Sequence, residues 1–195
     1  MAGYANEHIM YTMERLMCSK PLDDITVKDI VAAGPVNRKT FYFHFHGIED
    51  LLKWMASQRM SNLSVSGVNS KNWKEKTSVL LDALEENKEF FCALLNSKYS
   101  SEITRYLSGK LKPHIEEFVR NCARETEEAR GAPLHLRKEQ FSYIYEYYLN
   151  GVFSLISNWI QSGCKEPADT FLDIIDNLTK NTIFNVLEAF SASTG

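Results

Sequence analysis

The chain has no glycine-rich phosphate loop, no G-x-S-x-G and no H-E-x-x-H. The commonest signatures of nucleotide, acyl-transfer and zinc-hydrolase chemistry are therefore missing. Its acidic pairs, Asp23-Asp24, Glu49-Asp50, Glu85-Glu86, Glu116-Glu117 and Glu127-Glu128, fall at expected helix starts and exposed faces, not at one converging acid/base site. We expect neither enzyme activity nor a cofactor. The four cysteines, Cys18, Cys92, Cys122 and Cys164, are far apart with no C-x-x-C. They read as reduced, mostly packed thiols of a cytoplasmic protein. His44 and His46 have no cysteine or carboxylate at ligand spacing, so no metal site is expected. His8, His114 and His135 are scattered and expected at the surface. Alternating runs joined by Asn-Gly or Asp-Gly turns are absent, as is any internal repeat. MAGYANEHIM has no basic region followed by an apolar run, so no signal peptide is expected. Gln140–Gln161 holds one charge, Glu146, but its Asn150, Asn158, four Tyr and three Ser suit a buried soluble helix better than a membrane span.

What is present is enough for a packed fold. The 195 residues are 44% hydrophobic and 24% charged, which suits one sizeable domain or a small domain docked on a larger one. The net charge of −3 argues against a surface coated in positive charge. Its distribution is more telling. Residues 61–195 carry 15 Lys/Arg against 18 Asp/Glu, while the first 60 residues balance at 7 and 7. Within residues 30–48 stand Arg38, Lys39, His44 and His46, and no Asp or Glu. A phosphate-facing surface requires such a window.

That window lies in ITVKDIVAAGPVNRKTFYFHF, residues 25–45. Thr26 is a good N-cap for a helix over Val27–Ala33. Gly34-Pro35-Val36 reads as the turn, with Gly34 stopping the helix in the left-handed region and Pro35 unable to continue it. Asn37 then caps a second short helix, Arg38 to about Phe43. Helix, tight turn, helix is the helix-turn-helix layout, whose second helix lies in the DNA major groove. A preceding helix, about Asn6–Ser19, offers Ile9, Met13, Leu16 and Met17 on one stripe. With Ile30, Val31, Val36, Phe41 and Phe45 these residues form the expected core of a DNA-binding domain over 1–50.

The remainder reads as helix throughout, giving an all-α fold. A linking helix runs from about 48 to 60, with Glu49 and Asp50 suited to its positive N-terminal end. The Ser/Asn/Gly-rich Ser61–Lys71 reads as a connection. Residues 61–195 then read as a helical bundle that couples the reader to a partner subunit and a signal, the expected effector-binding and dimerisation domain: Trp73–Glu86, a helix at Phe90–Leu95, Leu111–Glu128, Arg137–Gln161 and Pro167–Phe190. Pro113 fits if it lies in the first turn of its helix, and Gly163 suits a C-cap. Phe141, Tyr145, Tyr148, Val152, Leu155 and Trp159 line one face of the fourth of these helices, and Ile144, Tyr147, Gly151 and Ile156 lie off it. A helix apolar over so much of its circumference needs cover on most sides; the rest of one 195-residue bundle could supply it, and so could the same two helices of a second subunit in a two-fold four-helix interface, which is the favoured reading.

The string DITVKDIVAAGPVNRKTFYFHFHGIEDLL resembles the DNA-binding domain of the TetR family of bacterial regulators, over about residues 5–55. Its specific parts are T-V-x-x-I, then N-R-x-T-F-Y-x-H-F, then E-D-L-L. The resemblance implies phosphate contacts from Thr26 and Lys28, groove and base-edge contacts from Asn37, Arg38, Lys39 and Thr40, and phosphate clamps from Tyr42 and His44. It departs from the family at Gly34-Pro35-Val36, where Ala-Gly-Val is usual, and at Ile48, where Lys is frequent. YLNGVFSLISNWIQSGCKEPADTFLDII resembles the C-terminal variant of dihydroxyacetone-kinase activator-type members, one type of which binds a kinase-related partner protein. The family likeness implies a homodimer on a pseudo-palindromic operator and an unknown small-molecule or protein effector. Repression is expected ahead of activation; the alternative is an activator or interaction module governed by a protein co-effector. Phe90, Phe91, Phe118, Tyr145 and Tyr148 are candidate pocket residues, with core and dimer interface as the favoured reading of the same aromatics. Candidate dimer residues are Phe153, Ile156, Trp159, Phe171, Ile175 and Leu178.

Overall fold

The structure, a computed structural model, describes residues 2–61 and 67–192. Residues 62–66 of the expected connection lie outside the described residues. In chain order the helices are α1 (Ala2–Met17), α2 (Val27–Ala33), α3 (Arg38–His44), α4 (Ile48–Arg59), α5 (Trp73–Glu86), α6 (Lys88–Leu95), α7 (Ser100–Arg130), α8 (Lys138–Gln161) and α9 (Ala168–Ala192). A short 3-10 turn, Leu22–Asp24, joins α1 to α2. No strand occurs among the described residues, so the all-α expectation holds.

Two compact units result. The first comprises residues 1–61 with 89–106, and the second 62–88 with 107–195. In the first, Ile9, Met13, Ile25, Ile30, Phe41, Leu51, Leu52 and Met55 are almost wholly buried. Leu16, Met17 and Val31, expected in this core, are only half-buried, and Leu22 and Thr12 are buried beside it. Phe91, Leu94 and Ile103 of α6 and the start of α7 belong to the same unit and are fully buried. Arg59, in the last turn of α4, joins three helices. Its Nη2 donates to Glu14 of α1 at 2.5 Å, and its guanidinium lies 3.8 Å from the Phe90 ring centroid on α6.

In the second unit α5 and α8 each pack on α9. Trp73 lies against Phe118, with ring centroids 4.4 Å apart, and Trp159 stacks on Phe171 at 4.8 Å and 9°. The helix with Pro113 differs from expectation. It begins at Ser100, not Leu111, so Pro113 sits in its interior. The missing N–H removes the bond to the Gly109 carbonyl, yet the helix continues on the buried Ile115, Phe118, Val119 and Cys122. The buried face of α8 is also rotated from the expected one. Ile144, Tyr148, Val152, Ile156 and Trp159 are buried, whereas Phe141, Tyr145 and Leu155 are half-buried. Gly163 ends α8 as expected, at φ +84°; Gly163 N–H donates to the Ile160 carbonyl and Cys164 N–H to that of Trp159, both at 2.9 Å. This is the Schellman pairing. No disulfide joins the four cysteines: Cys18 is exposed, Cys92 half-buried, and Cys122 and Cys164 buried.

Candidate nucleic-acid interface

Both short helices of the 25–45 stretch are held by their caps. The Thr26 hydroxyl accepts the Asp29 N–H at 3.3 Å, and the Asp29 carboxylate accepts the Thr26 N–H at 2.8 Å, a reciprocal capping box. The same carboxylate accepts the Thr26 hydroxyl at 2.6 Å and pairs with Lys20 at 2.8 Å. The Lys20 ammonium first, and then the Thr26 hydroxyl and backbone N–H, hold the Asp29 carboxyl far below the usual carboxylate range. At α3 the Asn37 side-chain oxygen accepts the Thr40 N–H at 2.9 Å and the Thr40 hydroxyl at 3.2 Å. A seven-residue helix is too short to persist on its own. These caps and the buried Phe41 fix where α3 starts and which way it faces.

The turn between them is closed differently from expectation. Gly34 is extended, at φ −115° and ψ 171°, and not left-handed; its N–H donates to the Ile30 carbonyl at 2.9 Å. The extended ψ suits the residue before a proline. Glycine is needed there for space: a Cβ would stand 2.6 Å from Thr12 Oγ1 and 3.1 Å from the Ile30 carbonyl oxygen.

The candidate contacts are not equally available. Lys28, Asn37, Arg38, Lys39 and Tyr42 are exposed, and Thr40 and His44 half-buried. Arg38 lies 5.6 Å from the Tyr42 ring centroid. Thr26 is exposed, but its one O–H donor is directed at Asp29. The Thr40 hydroxyl is directed at Asn37, which leaves the Asn37 amide nitrogen as the donor for a base edge. Phe43, outside the set anticipated from sequence, is 83% exposed on the same helix. The alternation of buried Phe41 with outward neighbours was the available signal.

In the second unit an open groove of about 290 Å³ runs between α8 and α9, lined by Tyr147, Gly151, Leu155, Leu178 and Val186 among others. At its floor the Tyr148 hydroxyl meets Thr182 Oγ1 at 2.9 Å, and burial raises its pKa. Of the candidate dimer residues, Leu178 is 53% exposed and Phe153 half-buried, while Ile156, Trp159, Phe171 and Ile175 are buried inside the unit. Of the candidate pocket residues, Phe90 and Phe91 fall in the first unit, and Phe118, Tyr145 and Tyr148 in the second. A small, partly open apolar cavity of about 30 Å³ lies against Trp73, Thr77, Ile115 and Val152. No described helix is long and apolar enough to cross a membrane.

Residues 71–181 match the TetR-type family described as transcriptional regulator C-terminal region. The chain belongs to the TetR family of transcriptional regulators. Over 76 residues it is 32% identical to the HTH-type dhaKLM operon transcriptional activator DhaS of Lactococcus lactis subsp. lactis (strain IL1403). That match covers 39% of this chain and 41% of the relative, about two fifths of the relative's length. A solved structure of the dihydroxyacetone kinase operon activator DhaS shares the fold, with a TM-score of 0.58 over 95% of this chain and 97% of that chain at 20% identity. Ile48, the position at which the resemblance led to the expectation of a lysine, is 7% exposed and part of the core, so its side chain offers nothing to a phosphate.

Proposed function

We propose that the protein is a homodimeric, sequence-specific DNA-binding regulator whose α3 enters the major groove. One observation carries this reading. The outward face of α3 presents Arg38, Lys39 and Tyr42 from a helix locked at its cap, inside a window without a single carboxylate. Lys28 and Tyr42 hold phosphates and fix the register. Arg38 and Lys39, with the Asn37 amide, read base edges; an arginine can donate two bonds to guanine O6 and N7.

The α8–α9 groove, with Tyr147 71% exposed and Leu178 53% exposed at its rim, supports an isologous four-helix dimer. Such a dimer sets two copies of α3 about 34 Å apart on a pseudo-palindromic site. A ligand or partner that prefers one spacing of the heads changes DNA affinity by linkage. For the direction of regulation we take activation, because the relative that is 32% identical over 76 residues is named an activator; repression is the alternative. The test is enrichment of duplexes from a random library by the full chain at several salt concentrations. Wild type should enrich one partly palindromic sequence with a steep salt dependence. Arg38→Ala/Lys39→Ala should lose selectivity while melting at the wild-type temperature. A reporter placed behind the enriched site then gives the sign. Equal retention of all sequences by wild type and variant would overturn the assignment.

A further inference from the structure

Phe43 is the most exposed large apolar side chain among the described residues, at 83%. Its helix is anchored through Phe41, which is fully buried. At about 100° per residue, Lys39 and Phe43 lie together, one turn apart, on the side opposite Phe41. The centre of the outward face of α3 is therefore a cation followed by a phenyl ring. The His44 ring packs edge-on against that ring, with centroids 5.1 Å apart and planes at 86°.

A single exposed apolar residue is ordinary on a protein surface. The position of this one is not. It stands within the acid-free window of residues 30–48, on the face that the DNA-binding reading places in the major groove, and the present inference rests on that reading. A phenyl ring can neither donate nor accept a conventional hydrogen bond. Set against the edge of guanine, adenine or cytosine it would strip water from polar atoms and return nothing. One base offers an apolar group in that groove, the C5-methyl of thymine.

We propose that Phe43 is a specificity-determining residue that packs on a thymine methyl, so that each half-site carries a thymine beside the position met by Lys39. Burying one methyl gives about a four-fold preference per half-site, and about fifteen-fold when both half-sites change.

The experiment uses the full chain and the duplex that it enriches from a random library. Each thymidine is replaced in turn, symmetrically in both half-sites, by deoxyuridine, which removes the methyl and keeps every pairing atom. For wild type, one symmetric replacement should weaken binding about fifteen-fold. Phe43→Ala should weaken binding to the thymidine duplex to a similar degree and should not distinguish deoxyuridine at that position. Both proteins should show the same salt slope, since a phenyl ring neutralises no phosphate. Wild-type binding indifferent to deoxyuridine at every position would overturn the assignment and leave the DNA-binding reading intact. So would losses from Phe43→Ala and deoxyuridine that multiply independently. A change in the monomer–dimer ratio of Phe43→Ala without DNA would overturn it in favour of a self-association face. If wild type enriches no sequence, the DNA-binding reading fails and this assignment with it.

Discussion

At the scale of single residues, Gly34 carries the tightest constraint in the reading head. A Cβ there would lie 2.6 Å from Thr12 Oγ1 and 3.2 Å from its methyl. Thr12 is 2% exposed, β-branched, and donates to the His8 carbonyl at 2.8 Å, so it has no easy retreat. Gly34→Ala should destabilise the protein by about 1–3 kcal/mol, the usual range for overpacking. Thr12→Ala in the same chain removes the two Thr12 atoms that the new methyl would meet and leaves the Ile30 carbonyl oxygen, at 3.1 Å. The double variant should therefore be more stable than the sum of the single effects implies, as read by urea unfolding. Backbone strain plays no part in this loss, because Gly34 has a φ open to any residue.

At the scale of elements, α2 depends on its capping box, and the box depends on an ionised Asp29. The folded-state pKa of Asp29 lies below its unfolded value, Lys20 being the largest cause. Its contribution to stability is therefore fully present above the unfolded carboxylate value, about 3.9. It is lost as pH falls from there through the lower folded-state value. Asp29→Asn should be less stable than wild type at neutral pH, and the two unfolding curves should converge as pH is lowered below about 4. A constant gap over that range would show that the carboxylate charge is not the stabilising feature. The long α7 makes a complementary point. Local propensity would break it at Pro113 at a cost of about 3 kcal/mol, and burial of Ile115, Phe118, Val119 and Cys122 carries it through.

At the scale of the whole molecule, the proposed function requires two reading heads acting together. Leu178 and Tyr147 leave apolar surface at the mouth of the α8–α9 groove, and covering it is what the proposed dimer would do. Leu178→Glu would set a carboxylate on each side of a two-fold contact and bury it without a partner. It should shift the protein to monomer in sedimentation at micromolar concentration. It should also weaken binding to the enriched duplex by at least about a hundred-fold, since one head then binds without the other. The isolated fold should be kept, because Leu178 is 53% exposed within the unit. A dimer that survives the substitution would place the interface elsewhere.

The sequence by itself determined the local features. The caps at Thr26 and Asn37, the Val27–Ala33 and Trp73–Glu86 helices, and the C-cap at Gly163 are decided by residues a few positions apart, so a linear reading captures them. The N-R-x-T-F-Y-x-H-F string pointed to the TetR family for the same reason, since the motif is contiguous. Only the tertiary structure decided the rest. It determined that Gly34 serves space against Thr12, that Ile48 is core, and that α6 with the start of α7 joins the first compact unit. It also turned the buried face of α8 toward Ile144 and Ile156, and left Phe43 in water beside a buried Phe41. Each of these depends on which side chain from a distant part of the chain fills the adjoining volume. A pattern of apolar spacing does not specify that.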